Sequence, residues 1–163
     1  MINTKIHWDI GTAYDLFISL RILHEPERFS VRASWAAGVR SRIPTEYREV
    51  LEQAASLRLV PLSFVYSLKE PKNSTQLLAK LKGIPPSEIL ERLTIFPDIP
   101  EDIKELFLAT TPARKWNHEE IQLLTQRLGI EDAKLVKQIS KTLYDTWSNR
   151  TEFGEKLVKG LQR

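Results

Sequence analysis

The chain has 163 residues, enough to bury a core without staples, and it contains no cysteine, which excludes a disulfide framework, a thiolate nucleophile and any zinc site built on sulfur. Lys and Arg number 24 against 21 Asp and Glu, and a formal net charge of +3 is too mild to argue by itself for a nucleic-acid partner. No window approaches the roughly 20 apolar residues of a membrane span, and the N-terminus lacks a basic segment followed by an apolar run, so a soluble, cytoplasmic protein with no membrane contact is expected.

Apolar residues recur at helical spacing and no segment holds a long alternation, which predicts an all-α, single-domain bundle of about eight to ten short helices. The first runs from Gly11 to His24, with Asp9 as its cap, Pro26 closing it, and Ala13, Leu16, Phe17, Leu20 and Leu23 facing inward. A second covers Ala33 to Arg42, with Trp35 and Val39 as its apolar stripe, and stops before Pro44. A third starts at Pro44 or Thr45 and turns Tyr47, Val50, Leu51, Ala54 and Leu57 inward. Leu59 to Tyr66 reads as strand or buried helix, with helix preferred.

Two helices joined at Gly83 follow, then a proline-punctuated stretch and a helix opening at Pro100. Asn117 with Glu120 is a capping box that starts a helix ending at Gly129. The next, Glu131 to Trp147, points Leu135, Val136, Ile139, Leu143 and Trp147 inward. A terminal helix from Thr151 carries Phe153, Leu157, Val158 and Leu161 and stops in mid-pattern at Arg163, so the polypeptide is expected to continue.

Charge is unevenly placed. No acidic residue lies between Glu27 and Glu46, and that gap holds Arg28, Arg32, Arg40 and Arg42 around Phe29 and Trp35. Residues 1–60 carry seven Arg and one Lys, residues 61–163 five Arg and eleven Lys. Arg grips carboxylate or phosphate bidentately and stacks on rings, so Arg28, Arg32, Trp35, Arg40 and Arg42 are candidates for an anion- or partner-binding surface. The preferred expectation is that these arginines pair with Asp9, Asp15, Glu25, Glu27 or Glu46, lay their stems over Trp8 and Trp35, and form a seam between the N-terminal helices.

Within residues 74–163 a helix, Gly, Ile, helix pattern repeats at an offset of 46. Leu77 to Ile84, followed by Ile89, Leu90 and Leu93, matches Leu123 to Ile130, followed by Leu135, Val136 and Ile139. The small residues Ala79 and Thr125, four before each Gly, permit the close crossing of a helix-turn-helix, with the Gly in a left-handed turn. A plain antiparallel helical pair accounts for much of the same pattern. Ser87, Glu88, Glu91 and Arg92 would oppose phosphate in the first copy, whereas Lys134, Lys137, Gln138 and Lys141 give the second a DNA-binding candidate face.

His7, His24 and His118 lie beyond helical reach of one another, and the six glycines never cluster into a phosphate loop or dinucleotide fingerprint. Asp9 and Asp15 read as a cap and a first-turn carboxylate rather than an acid–base pair. No catalytic site, metal site or cofactor is therefore expected.

The stretch Trp8-Asp9-Ile10-Gly11-Thr12-Ala13-Tyr14-Asp15-Leu16-Phe17-Ile18-Ser19-Leu20, with Leu23 to Phe29 and Ser34 to Arg42, resembles the N-terminal helical region of bacterial ArsR-type winged-helix transcriptional regulators. The likeness covers about the first third of the chain. It implies a non-catalytic sensing or dimerisation domain, with a second copy and a small-molecule or anionic effector as partners and DNA held by a winged helix outside this chain. Residues 118–163 do not complete a winged helix, and the cysteine pair of metal-sensing members is absent. The alternative reading is an autonomous DNA-binding protein that uses the helix-turn-helix-like unit around residues 123–141.

Overall fold

In a computed structural model describing residues 9–57, 59, 61–129 and 131–162, helical periodicity is realised almost wherever the sequence carries it. The helices are α1 (Ala13–His24), α2 (Ala33–Arg40), α3 (Thr45–Ser56), α4 (Leu62–Tyr66), α5 (Ser74–Lys82), α6 (Pro86–Thr94), α7 (Glu101–Leu108), α8 (His118–Leu128), α9 (Ala133–Ser148) and α10 (Arg150–Gly160). A single 3-10 turn, Pro26–Phe29, links α1 to α2, and no strand occurs among the described residues. His7, Trp8, Val60, Ile130 and Arg163 lie outside the described residues. No described helix is long and apolar enough to cross a membrane.

Helix α10 is the centre of the packing. It buries Phe153, Leu157 and Val158, and its contact with α6 is the most extensive of any helix pair, followed by its contact with α3. Glycine makes the approach possible: a Cβ on Gly154 would lie 2.2 Å from the Pro86 carbonyl oxygen. Near the end of the same helix, a Cβ on Gly160 would meet Tyr47 and Leu51 of α3 at 3.3 Å. Helix α3 passes this packing to α1 through Val50, Leu51 and Ala54, and α5 closes the core with Leu77 and Leu81.

Helix ends follow local chemistry. The capping box forms as read: Glu120 donates its backbone N–H to Asn117 Oδ1 at 2.9 Å, and Asn117 donates its own to Glu120 Oε2 at 2.8 Å. Asp132 caps α9 by accepting from the amides of Lys134 and Leu135, and Asn73 caps α5. Asp9 does not cap α1; Thr12 stands at that position without a side-chain bond.

The repeated unit divides in an unexpected way. Gly129 takes the left-handed conformation at φ 63°, but Gly83 stays right-handed at φ −80°, because its amide closes onto Ala79 and Lys80 and Pro85-Pro86 then turns the chain. Ala79, expected at a close helix crossing, is exposed. Ile89, Leu90 and Leu93 of α6 are buried beneath α10, while the matching positions on α9 are not: Leu135 is 43% exposed and Val136 and Ile139 only half-buried. Full burial of a Leu or Ile stabilises by roughly 1.5–3 kcal/mol, so the first half of α9 forgoes what holds α6 in place.

Replacing Gly154 by Ala is expected to cost about 2 kcal/mol in urea unfolding, because the backbones of α10 and Pro86 must separate. Gly38→Ala, in α2 with nothing within 4 Å of the new Cβ, is expected to gain about 0.5–1 kcal/mol in the same assay.

Candidate functional site

The arginine segment forms a seam, but not the one expected. Of its four arginines, Arg28 alone pairs with a carboxylate among the described residues, Glu25 at 3.3 Å. Arg40 donates instead to the Leu23 carbonyl, one of the last acceptors of α1 that no helical N–H reaches. Residues 36 and 40 share a helix face, so the turn that sets Arg40 on α1 buries Ala36 and rotates Trp35 outward. Trp35 is 53% exposed and carries no arginine over its ring among the described residues. Arg32 and Arg42 are exposed and form no ion pair there. Phe29 is covered by Arg21, whose guanidinium sits 5.8 Å from the ring centre. Close by, burial pushes the His24 pKa down; Glu52 opposes this and Arg40 adds to it.

Asp9 does different work from capping. Its carboxylate accepts from Tyr14 Oη at 2.6 Å and from Lys72 Nζ, and that ammonium also donates to the Tyr66 carbonyl at 2.8 Å and lies over the Tyr66 ring. Lys72 is 8% exposed, so this is a nearly desolvated ion pair tying the entry to α1 onto the loop before α5. Gly11 lets the chain pass: a Cβ there would fall 2.1 Å from the Lys72 carbonyl oxygen. Asp15 is not part of the cluster.

Lys134, Lys137, Gln138 and Lys141 are all exposed on one face of α9, and none of the three lysines has a carboxylate partner among the described residues.

The principal concavity lies elsewhere, at a place no motif marks. A cavity of about 570 Å³ opens between α4, the α6–α7 connection, α7 and the α8–α9 pair. Leu59, Phe64 of α4 and Leu93 of α6 line it together with Ile103 of α7, Leu124 of α8 and Leu143 of α9. Leu62 and Phe96, also in the lining, are 56% and 51% exposed. Two rings of the lining stack, Phe107 lying 4.8 Å from Trp147; Phe107 also lies 6.2 Å from Trp116, which is not in the lining and has Tyr144 edge-on to it. Trp116 donates its indole N–H to Thr110 at 2.8 Å, whereas Trp147, 1% exposed, has no partner for its Nε1 among the described residues.

Among the described residues the charged side chains of the lining are Arg92 and Arg127, and no carboxylate lines it. Arg127 donates to Asp102 at 2.7 Å, joining α8 to α7, and this bond first of all holds the Asp102 carboxyl below its ordinary range. Arg92 meets Glu88 at 3.4 Å on its own helix.

No family model matches this chain, and no curated protein or solved structure is significantly similar to it.

A second, smaller cleft of about 220 Å³ between α3, α9 and α10 carries Glu46, Glu49, Asp145 and Glu152, with Lys156 bound to Glu152 at 2.6 Å.

The cavity left only a faint trace in sequence. Leu59 to Tyr66 is apolar on more sides than a five-residue helix can bury, and Phe96 stands beside a proline in a loop. Both signal apolar surface without an internal partner.

The Lys72 hydrogen bond, then that of Tyr14, holds the Asp9 carboxyl below its ordinary 3.8, and the Asp9 bond, then burial, raises Tyr14 to about 12. A depressed carboxyl contributes stability above its unfolded value and loses it as pH falls through the folded value. Asp9→Asn is therefore expected to lower stability at neutral pH and to flatten its acid loss, read as urea midpoints across a pH series.

Proposed function

We propose that this chain is the helical effector-sensing unit of a bacterial winged-helix transcriptional regulator, working without catalysis, with its effector held between α4, the α6–α7 connection and α8–α9. The observation that carries the reading is the apolar cavity of about 570 Å³, a volume within the usual range of small-molecule sites. Its walls come from separated parts of the chain, so a bound molecule would touch α4 and α9 at once. The regulator part of the reading is supported by the resemblance carried by the sequence segments from Trp8 to Leu20, from Leu23 to Phe29 and from Ser34 to Arg42, and a winged helix outside this chain would hold the DNA.

A second reading, direct DNA binding by this chain, is favoured by the exposed Lys134, Lys137 and Lys141, which have no carboxylate partner among the described residues, beside Gln138 on α9. Exposure of Leu135 weighs against it, since a recognition helix needs its apolar face seated to hold its angle in a groove.

The uncharged fluorophore N-phenylnaphthylamine is expected to bind with enhanced emission, and Leu143→Trp, which fills the cavity, to weaken it at least about tenfold. Absence of binding by the unaltered chain would remove the sensing reading. In gel-shift titrations over a salt series, no complex with duplex DNA is expected at low salt. A complex that weakens steeply with salt, and is lost in Lys137→Gln with Lys141→Gln, would put the second reading first.

A further inference from the structure

We infer that the ligand of this cavity is an amphipathic monoanion, an apolar body ended by one carboxylate, with the carboxylate gripped at the solvent edge by Arg92 and Arg127. The inference rests on the sensing reading and goes beyond it by giving the ligand a chemistry. Apart from the hydroxyls of Ser63 and Thr94 the uncharged lining is predominantly apolar, and Leu93, Ile103, Phe107, Leu124 and Leu143 offer hydrocarbon and ring surface that an apolar ligand body would bury. Both charged groups of the lining are cationic, and both sit where the lining meets water, Arg92 with 60% and Arg127 with 50% of its side chain exposed. An apolar interior with a cationic edge selects a molecule polar at one end only.

The existing ion pairs set the charge. Each guanidinium has five donors, and one carboxylate, Glu88 or Asp102, engages a single terminal nitrogen in each case. Donors remain for one more acceptor group, but much of each positive charge is already answered. A single carboxylate fits that remainder. A phosphate dianion would bring more negative charge against Glu88 and Asp102 than two paired arginines offset. A cation would meet two guanidiniums with no carboxylate in the lining, and a neutral molecule would forgo the charge-assisted bonds, roughly twice as strong as neutral ones.

Calorimetric titration with decanoate, below its micelle-forming concentration, and with decanol separates head-group recognition from tail burial. Decanoate is expected to bind at least about tenfold more tightly at low salt, and added salt should narrow the gap. Arg92→Gln and Arg127→Gln should each weaken decanoate several-fold and leave decanol unchanged. Arg127→Lys, which keeps the charge toward Asp102 but loses the planar fork, is a second variant in case Arg127→Gln unfolds the chain, and should weaken decanoate alone. Leu143→Trp should weaken both ligands, which places them in the cavity rather than on the exposed Arg32 and Arg42 that flank α2. Equal affinity for acid and alcohol, or arginine variants that weaken both alike, would overturn the monoanion and leave the sensing reading standing. Failure of both ligands to bind would overturn the two together.

Discussion

The close approach of α10 to α6 is the constraint on which the rest of the packing depends. Gly154 removes the Cβ that would strike the Pro86 carbonyl, and the two helices meet backbone against backbone at that point. The contact falls at Pro86 and Ile89, the first turn of α6, and so sets the position of that helix, from which the chain continues into the α6–α7 connection, while Phe153 and Leu157 share the core with Ile89 and Leu90. Since that connection forms one wall of the cavity, a glycine at the far side of the core helps determine the shape of the site. The same helix then meets α3 through Gly160, and α3 carries α1.

The buried cluster of Asp9, Tyr14 and Lys72 complements that arrangement at the other end of the chain. Lys72 is buried and Asp9 only partly so, and burial of the ammonium offsets part of their attraction, but losing Asp9 would leave the Lys72 ammonium without a counter-charge. Such a pair specifies geometry more than it stabilises. Here it sets the entry of α1 against the Lys72 backbone, where Gly11 leaves room for no other residue.

What was legible in the residues was what depends on neighbours along the chain. Helical spacing located the helices, the Asn117–Glu120 pair gave the start of α8, and the inward positions of α1, α3 and α10 follow their apolar stripes. What was not legible depends on a partner distant in sequence. Arg40 has a backbone carbonyl as its partner, and no charge pattern announces a carbonyl. Trp35 reads as the buried residue of α2 on hydrophobicity alone, yet the reach of Arg40 decides which face turns inward. Leu135 has the spacing of a core residue, as Ile89 does, but only Ile89 has α10 lying over it. The cavity belongs to the same class: its lining is ordinary apolar sequence, and only the arrangement of α4, α7 and α9 leaves it unfilled.

Helix α9 runs unbroken from Ala133 to Ser148, about 24 Å at 1.5 Å per residue. Leu143 and Trp147 line the cavity near one end; Lys134 and Lys137 stand in water near the other. One unbroken helix therefore joins a wall of the cavity to a cationic, solvent-facing surface. Leu135 is open to water at that second end while Val136 and Ile139 beside it are half-buried, so the two ends of the same helix meet different surroundings.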